Sequence, residues 1–197
     1  MRPMTLLVLA STSRYRRELL ARLRVPFEVC APQVDEAPRD GEVPAALALR
    51  LALAKAHDVA QRYPQAHVIG SDQVADLHGA PLGKPGTHAR ATEQLRAMRG
   101  NTVVFHTAVA VVAPGFAQAQ GVPVQVSMRH YSDAQIERYL QLEQPYDCAG
   151  SAKSEALGIA LCERIDGLDP TALIGLPLIA TCTLLAQAGY DVLGHAK

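Results

Sequence analysis

A single carboxylate interrupts an otherwise apolar run: Asp72 lies within Val68-Ile69-Gly70-Ser71-Asp72-Gln73-Val74-Ala75. A strand core favours an apolar residue there, because a buried carboxylate is costly unless it binds a cation, pairs with a base or sits at a strand end in a cleft. Each of these arrangements suits activation of a water molecule. A strand end at which Asp72 merely bonds backbone amides fits the same letters. The second anomaly is positive: Met1 to Arg24 holds six arginines and one acid, Glu18, although the whole chain balances 19 basic against 19 acidic residues. Leu19, Leu20 and Leu23 define the buried stripe of a helix, and Arg16 falls within that stripe. In a first helical turn its side chain points back toward the N-terminus, where free N–H groups and the macrodipole favour an anion. Ser11 and Ser13 place hydroxyls at the same spot, so the group reads as a phosphate cradle. An N-capping serine followed by solvated arginines accounts for the pattern equally well.

Lys84 stands between Gly83 and Pro85, in a stiff turn that projects one ammonium outward and suits a phosphate. The spacing is not that of a P-loop, since Pro85 occupies the place of the magnesium-binding hydroxyl. Lys55 shares a helical stripe with Leu47 and Leu51, a milder repeat of the Arg16 anomaly that surface snorkelling explains as readily.

The elements that must position these groups follow from periodicity and caps. Thr5 to Ala10 reads as a buried strand, and Ser11-Thr12-Ser13 as the turn before a helix from Arg14 to Arg24. A short strand, Phe27 to Cys30, leads into a loop carrying Val34-Asp35-Glu36. Pro44 then opens a helix to Tyr63. His67 to Leu77 is a strand, Gly79 to Gly86 a loop, and Thr87 caps a helix to Met98. Thr102 to Ala113 and Val122 to Arg129 are β-rich runs around Pro114-Gly115, suggesting antiparallel partners. Ser132 with Gln135 forms a capping box for a helix to Leu142. A loop from Pro145 to Glu155, a strand near Ile159 to Ile165 and a helix from Leu176 to Ala188 complete the chain. This mixture predicts an α/β or α+β sheet, not a purely doubly wound one, in one domain spanning 1–197.

Composition excludes several classes. Zero net charge offers no general attraction for a nucleic-acid backbone. Cys30, Cys148, Cys162 and Cys182 form no C-x-x-C pair, and the seven histidines are dispersed, so zinc and redox motifs are absent. The Met1 to Ala10 run lacks the length of a signal segment with its cleavage site, and no later run approaches the roughly 18 apolar residues of a membrane span. The expected setting is cytoplasmic. Serine-hydrolase, zincin and dinucleotide-binding motifs are also missing.

Taken together, Leu9-Ala10-Ser11-Thr12-Ser13 with Arg16 and Arg17, Val34-Asp35-Glu36, Lys55-Ala56, Gly70-Ser71-Asp72-Gln73-Val74, Gly83-Lys84-Pro85, Cys148-Ala149-Gly150-Ser151 and Gly175-Leu176-Pro177 resemble, in order, the Maf-like nucleotide pyrophosphatases. The resemblance implies an ITPase-like (Maf/Ham1) fold: a twisted mixed central sheet flanked by helices, with two lobes around a nucleotide cleft. It further implies a divalent metal (Mg, Mn or Co) and attack of water at the α-phosphate. In that scheme Asp72 accepts the proton and Glu36 assists Asp72 at the metal. Ser11, Ser13, Arg16, Lys55 and Lys84 hold the triphosphate. Subgroups of the family differ at positions that here hold Tyr15, Gln73 and Glu155, a combination that resembles the branch acting on 7-methyl-GTP. The chemistry agrees: one carboxylate such as Glu155 can accept both guanine N1–H and the exocyclic amine. A ring made cationic by methylation would stack on Tyr15 for about 0.5 to 2 kcal/mol. Arg14, Tyr15, Ala152 and Ala156 depart from that branch and bear on base choice.

The implied partner is a small-molecule nucleoside triphosphate, without nucleic acid or membrane, and a homodimer is an open alternative. Rival readings are the same chemistry on dTTP, UTP or another modified nucleotide, and a non-catalytic nucleotide-binding regulator of cell division. In a regular strand Asp72 and Gln73 face opposite sides, so both line one pocket only if that strand bulges or ends there.

Overall fold

The computed structural model describes residues 5–197; Arg2 and the start of the Met1 to Ala10 run lie outside the described residues. A mixed sheet forms the centre. Strands β1 (Leu7–Ala10), β2 (Glu28–Cys30), β3 (His67–Leu77), β4 (Ala80–Leu82), β5 (Thr102–Ala113), β6 (Phe116–Met128) and β7 (Cys162–Asp166) build it. The spatial order is β2-β1-β3-β5-β6-β7, with β4 added to the free side of β3. β1 runs parallel to β2 and β3, and every other pairing is antiparallel. Helices α1 (Arg14–Ala21), α2 (Pro44–Arg62), α3 (His88–Met98), α4 (Asp133–Glu143), α5 (Leu178–Gln187) and α6 (Val192–His195) flank the sheet.

Strand alternation divides the core in two. Leu7 and Leu9 point into a large cluster with Leu19, Leu95, Leu140 and Leu184, whereas Val8 and Ala10 face a second cluster built by α2. That second face is lined by Ala48, Ala52 and Ala56, small residues that let α2 approach β3 at backbone distance. Gly70 completes the approach, because a Cβ there would lie 2.7 Å from Ala56 N and closer still to the Ala52 carbonyl oxygen. The close approach carries Lys55 down onto the sheet.

Several bounds differ from the sequence-based expectation for identifiable reasons. The first helix stops at Ala21 and not at Arg24, since Arg24 adopts φ +59 and Pro26 follows. β6 begins at Phe116, well before Val122: its first half is polar because β7 pairs only with Gln125 to Met128, leaving the rest an edge on which Pro123 is tolerated. The sequence predicts a loop where β4 forms. The strand arises through a tight turn at His78 and Gly79, both with positive φ, which matches the twist of a two-residue hairpin. The last strand is shorter than expected, Cys162–Asp166, because Leu157–Leu161 winds into a 3-10 turn.

Candidate active site

The sheet leaves a notch. β3 pairs with β1 only as far as Gly70, and its pairing with β4 begins at Ala75, so among the described residues Ser71 to Val74 have no strand neighbour on that side. On the other side the ladder to β5 runs without interruption from Val68 to Asp76. Chain segments leaving the ends of β1 and β4 therefore face each other across the notch: the Ser11 to Ser13 turn with α1 on one side, the Gly83 to Gly86 turn on the other.

Asp72 points out of β3 toward α2. Its Oδ1 accepts from Lys55 Nζ at 2.7 Å, and Lys55 Nζ also lies 2.8 Å from Glu36 Oε1. Lys55 and Asp72 are buried, while Glu36 arrives from the loop between β2 and α2 with 61% of its side chain exposed. The Glu36 carboxyl reports what surrounds it. Burial pushes it up, but the hydrogen bond and charge of Lys55, with the charges of Lys84 and Arg16, outweigh that and hold it below the usual carboxylate value. Burial pulls the Arg16 guanidinium down from its ordinary value, and the charges of Asp72 and Glu36 oppose the fall. Arg16, Glu36, Lys55, Asp72 and Lys84 thus share one electrostatic neighbourhood in which cations outnumber carboxylates by one.

Donors stand unused around this cluster. Arg16 spends only Nε, which donates to the Gly175 carbonyl at 2.9 Å; its terminal nitrogens bond no described residue. Ser11 is buried immediately after β1, and its Oγ accepts from the Ser13 N–H at 3.0 Å while its own hydroxyl finds no acceptor among the described residues. Ser13 caps α1, its Oγ accepting from the Arg16 N–H at 3.4 Å. Lys84 is exposed and makes no ion pair among the described residues. A helix N-terminus, one guanidinium, one ammonium and a hydroxyl facing one notch form a ready anion site.

The three residues linked to base choice lie apart from that cluster. β3 neither bulges nor ends at Asp72, so Gln73 faces the opposite side, where its Nε2 donates to Thr107 Oγ1 at 2.9 Å and to the carbonyls of Leu173 and Ala172 at 3.0 and 3.1 Å. Tyr15 extends from α1 toward Asp147, with its hydroxyl 3.3 Å from Oδ2, and the Arg14 guanidinium stacks 4.7 Å from its ring centroid. Cys148 and Lys153 back this group; burial pushes the Cys148 thiol up to about 12, which disfavours the thiolate form. Glu155 lines a cavity of about 350 Å³ with Ser154, Val124, Ile165, Leu173 and Ile174. Leu173, whose carbonyl holds Gln73, is part of that wall.

Sequence reasoning missed the device that joins these regions. Asp169, buried, accepts from Thr171 N at 3.0 Å and from Ile179 N at 2.7 Å, while the one hydroxyl proton of Thr171 is shared between Asp169 Oδ1 at 2.7 Å and Leu176 O at 2.8 Å. This lacing fixes Gly175, whose φ of +125 suits glycine, and presents its carbonyl to Arg16. Asp169-Pro170-Thr171 ahead of a helix is a turn signature that could have flagged the segment.

Among the described residues no group of three or more His, Cys, Asp or Glu side chains converges as for a metal, and no helix is long and apolar enough to cross a membrane. The pair Glu36 and Asp72 nevertheless suits a hard divalent cation. Both carboxylates already converge on one positive charge, that of Lys55, and Asp72 Oδ2 and Glu36 Oε2 have no protein partner among the described residues. One or two carboxylates completed by water and substrate phosphate are the usual magnesium donor set.

The chain belongs to the Maf-like protein family, whose model matches residues 6–188. More particularly, it is 66% identical to the 7-methyl-GTP pyrophosphatase of Polaromonas sp. over 93% of this chain and 84% of that one. The proteins of the same name from Albidiferax ferrireducens and Thiobacillus denitrificans are 63% and 61% identical, over 95% of this chain and 96% and 94% of theirs. Among solved structures, the Staphylococcus aureus Ham1 protein shows a loose likeness, with a TM-score of 0.45 and 16% identity over 63% of this chain and 72% of that one.

Proposed function

We propose that the chain is a nucleoside triphosphate pyrophosphatase that hydrolyses 7-methyl-GTP to 7-methyl-GMP and diphosphate. The observation that carries the reading is the convergence of Arg16, Lys84 and Lys55 on the Asp72–Glu36 pair at the β3 notch. High identity to relatives named for that activity supports it.

In this reading the triphosphate lies across the notch. The terminal nitrogens of Arg16, the Lys84 and Lys55 ammonium groups, and the hydroxyls of Ser11 and Ser13 at the α1 N-terminus meet its oxygens. Asp72 takes a proton from water as the water oxygen bonds the α-phosphorus, and the bond from that phosphorus to the β-bridging oxygen breaks, releasing diphosphate. Most of the acceleration comes from positioning and from cations facing developing charge, as in other phosphoryl-type displacements. Glu36 and Asp72 would hold a divalent cation such as Mg, Mn or Co, which neutralises phosphate charge and favours ionised water when bound.

Base choice rests on Tyr15 and Glu155. The Tyr15 ring already holds a planar cation, the Arg14 guanidinium, at 4.7 Å, which supports stacking of a cationic methylated guanine on the same residue. Glu155 lines a cavity into which guanine N1–H and its amine can be received. Gln73 acts there as a buttress of the cavity wall through Leu173. The four cysteines are free thiols, consistent with a cytoplasmic setting. Diphosphate release measured on 7-methyl-GTP, GTP, UTP and dTTP, each with magnesium, manganese and cobalt, tests the assignment. Faster turnover of 7-methyl-GTP than of the other three is expected; equal or slower turnover removes the base assignment, and no turnover of any removes the activity.

A further inference from the structure

Glu36 reaches the cluster from a long loop, residues 31–43, and a mostly exposed loop carboxylate must be held if it is to stay over Lys55 and Asp72. Helix α2 grips that loop at both ends. Near its start, Asp58 Oδ2 accepts the Gln33 N–H at 2.9 Å, and Arg62 Nη2 donates to Asp58 at 2.7 Å and to the Ala31 carbonyl at 2.8 Å. Near its end, Arg50 forks onto both oxygens of Glu42, at 2.6 and 2.7 Å, and its Nη2 also donates to the Ala37 carbonyl at 2.9 Å. Glu42 Oε2 in turn accepts the Arg39 N–H at 3.0 Å, and Asp35 Oδ1 accepts that of Ala37 at 3.0 Å. Only 20% of the Arg50 side chain and 10% of that of Glu42 are exposed, so the fork is sheltered from water. Two-pronged guanidinium–carboxylate geometry in such shelter exceeds the small worth of an open surface pair. Ala37 directly follows Glu36, which puts the grip one residue from the carboxylate that meets Lys55.

We propose that Arg50 is a positioning residue for the reaction: by holding the Ala37 carbonyl and Glu42 together it fixes Glu36 beside Asp72, and so sets the affinity of that carboxylate pair for a divalent cation. The proposal rests on the reading above in which Glu36 and Asp72 hold the cation. Arg50 hydrogen-bonds neither of them, so its influence runs through the loop. A lysine cannot substitute, because a point ammonium cannot span two carboxylate oxygens and a carbonyl at once.

The test is manganese binding to the full chain without nucleotide, followed by electron paramagnetic resonance of free Mn(II), for the wild type, Arg50→Lys, Glu36→Gln and the double variant. Arg50→Lys is expected to weaken Mn(II) binding about tenfold and to raise by the same factor the metal concentration giving half-maximal turnover, with kcat at saturating metal within about twofold. Glu36→Gln also weakens binding, and adding Arg50→Lys to it costs nothing more, since the grip matters only through Glu36. Wild-type Mn(II) affinity in Arg50→Lys, or losses that add in the double variant, overturns the proposal. Wild-type affinity in Glu36→Gln overturns the metal role of Glu36 and this proposal with it. Should Arg50→Lys fail to fold, Glu42→Gln opens the same fork from the loop side and takes its place in the cycle.

Discussion

Arg16 and Ser71 meet at one oxygen: Arg16 Nε donates to the carbonyl oxygen of Gly175 at 2.9 Å, and Ser71 Oγ lies 3.0 Å from it, its one proton shared with the Ala108 carbonyl at 2.8 Å. One oxygen thereby ties α1, β3 and the segment before α5 into a single unit. Because Arg16 bonds the described residues through Nε alone, its guanidinium is aimed while its terminal nitrogens stay open to an anion.

Asp72 should be needed for chemistry more than for binding. Asp72→Asn removes the proposed proton acceptor and keeps the shape, so nucleotide affinity by titration calorimetry without divalent metal is expected to stay within a few-fold of wild type. Diphosphate release should fall by about a hundredfold to ten-thousandfold. A variant that still turns over at wild-type rate ends the case for Asp72 as base.

Loss of the Asp169 acceptor should reach the site from a distance. Asp169→Ala strands the N–H groups of Thr171 and Ile179, and the expected cost is about 1 to 3 kcal/mol in urea unfolding. The nucleotide KM should rise as Gly175, and with it Arg16, loses its fixed place. Unchanged stability would show that the lacing is dispensable.

The close seat of α2 on β3 depends on Gly70. A methyl group there meets α2 backbone, which has no flexible end to yield, so Gly70→Ala is expected to destabilise the fold by about 3 kcal/mol. An unfolding midpoint equal to that of wild type would contradict the packing described.

The Arg50–Glu42 fork has a pH signature. The hydrogen bonds from Arg50 carry the Glu42 carboxyl from 4.5 down to about 2. A folded value below the unfolded one means the contribution is complete above about pH 4.5 and is lost as pH falls through about 2. The stability gap between wild type and Glu42→Gln, followed by urea midpoints, should be constant from pH 7 to 5 and narrow below 4.5. A gap that narrows near neutrality would assign it to another group.

Glu155→Gln should blunt guanine recognition. An amide cannot accept both N1–H and the exocyclic amine, so kcat/KM for 7-methyl-GTP is expected to fall about tenfold or more while that for UTP stays unchanged. An equal fall for both nucleotides would place Glu155 outside base recognition.

Much of this was legible in the letters where local rules agree. β3, β5 and α3 begin or end where apolar alternation, Thr87 and Gly100 place them. Arg16 and Asp72 stood out because each breaks a buried pattern. What they would touch was not legible: a carbonyl such as that of Gly175 carries no side-chain signal, and Arg50 with Glu42 looks like any solvated charge pair. The first half of β6 was missed because an edge strand need not alternate.

The notch between Gly70 and Ala75 means that the middle of the sheet is stitched along one side only. In the proposed binding mode a triphosphate there meets several cations and hydroxyls at once, so deleting any one cation should loosen its hold by degrees. The burden of keeping that half-open strand straight falls on the long hairpin of β5 and β6. Damage far out on the hairpin should therefore blur the catalytic geometry before it unfolds the protein.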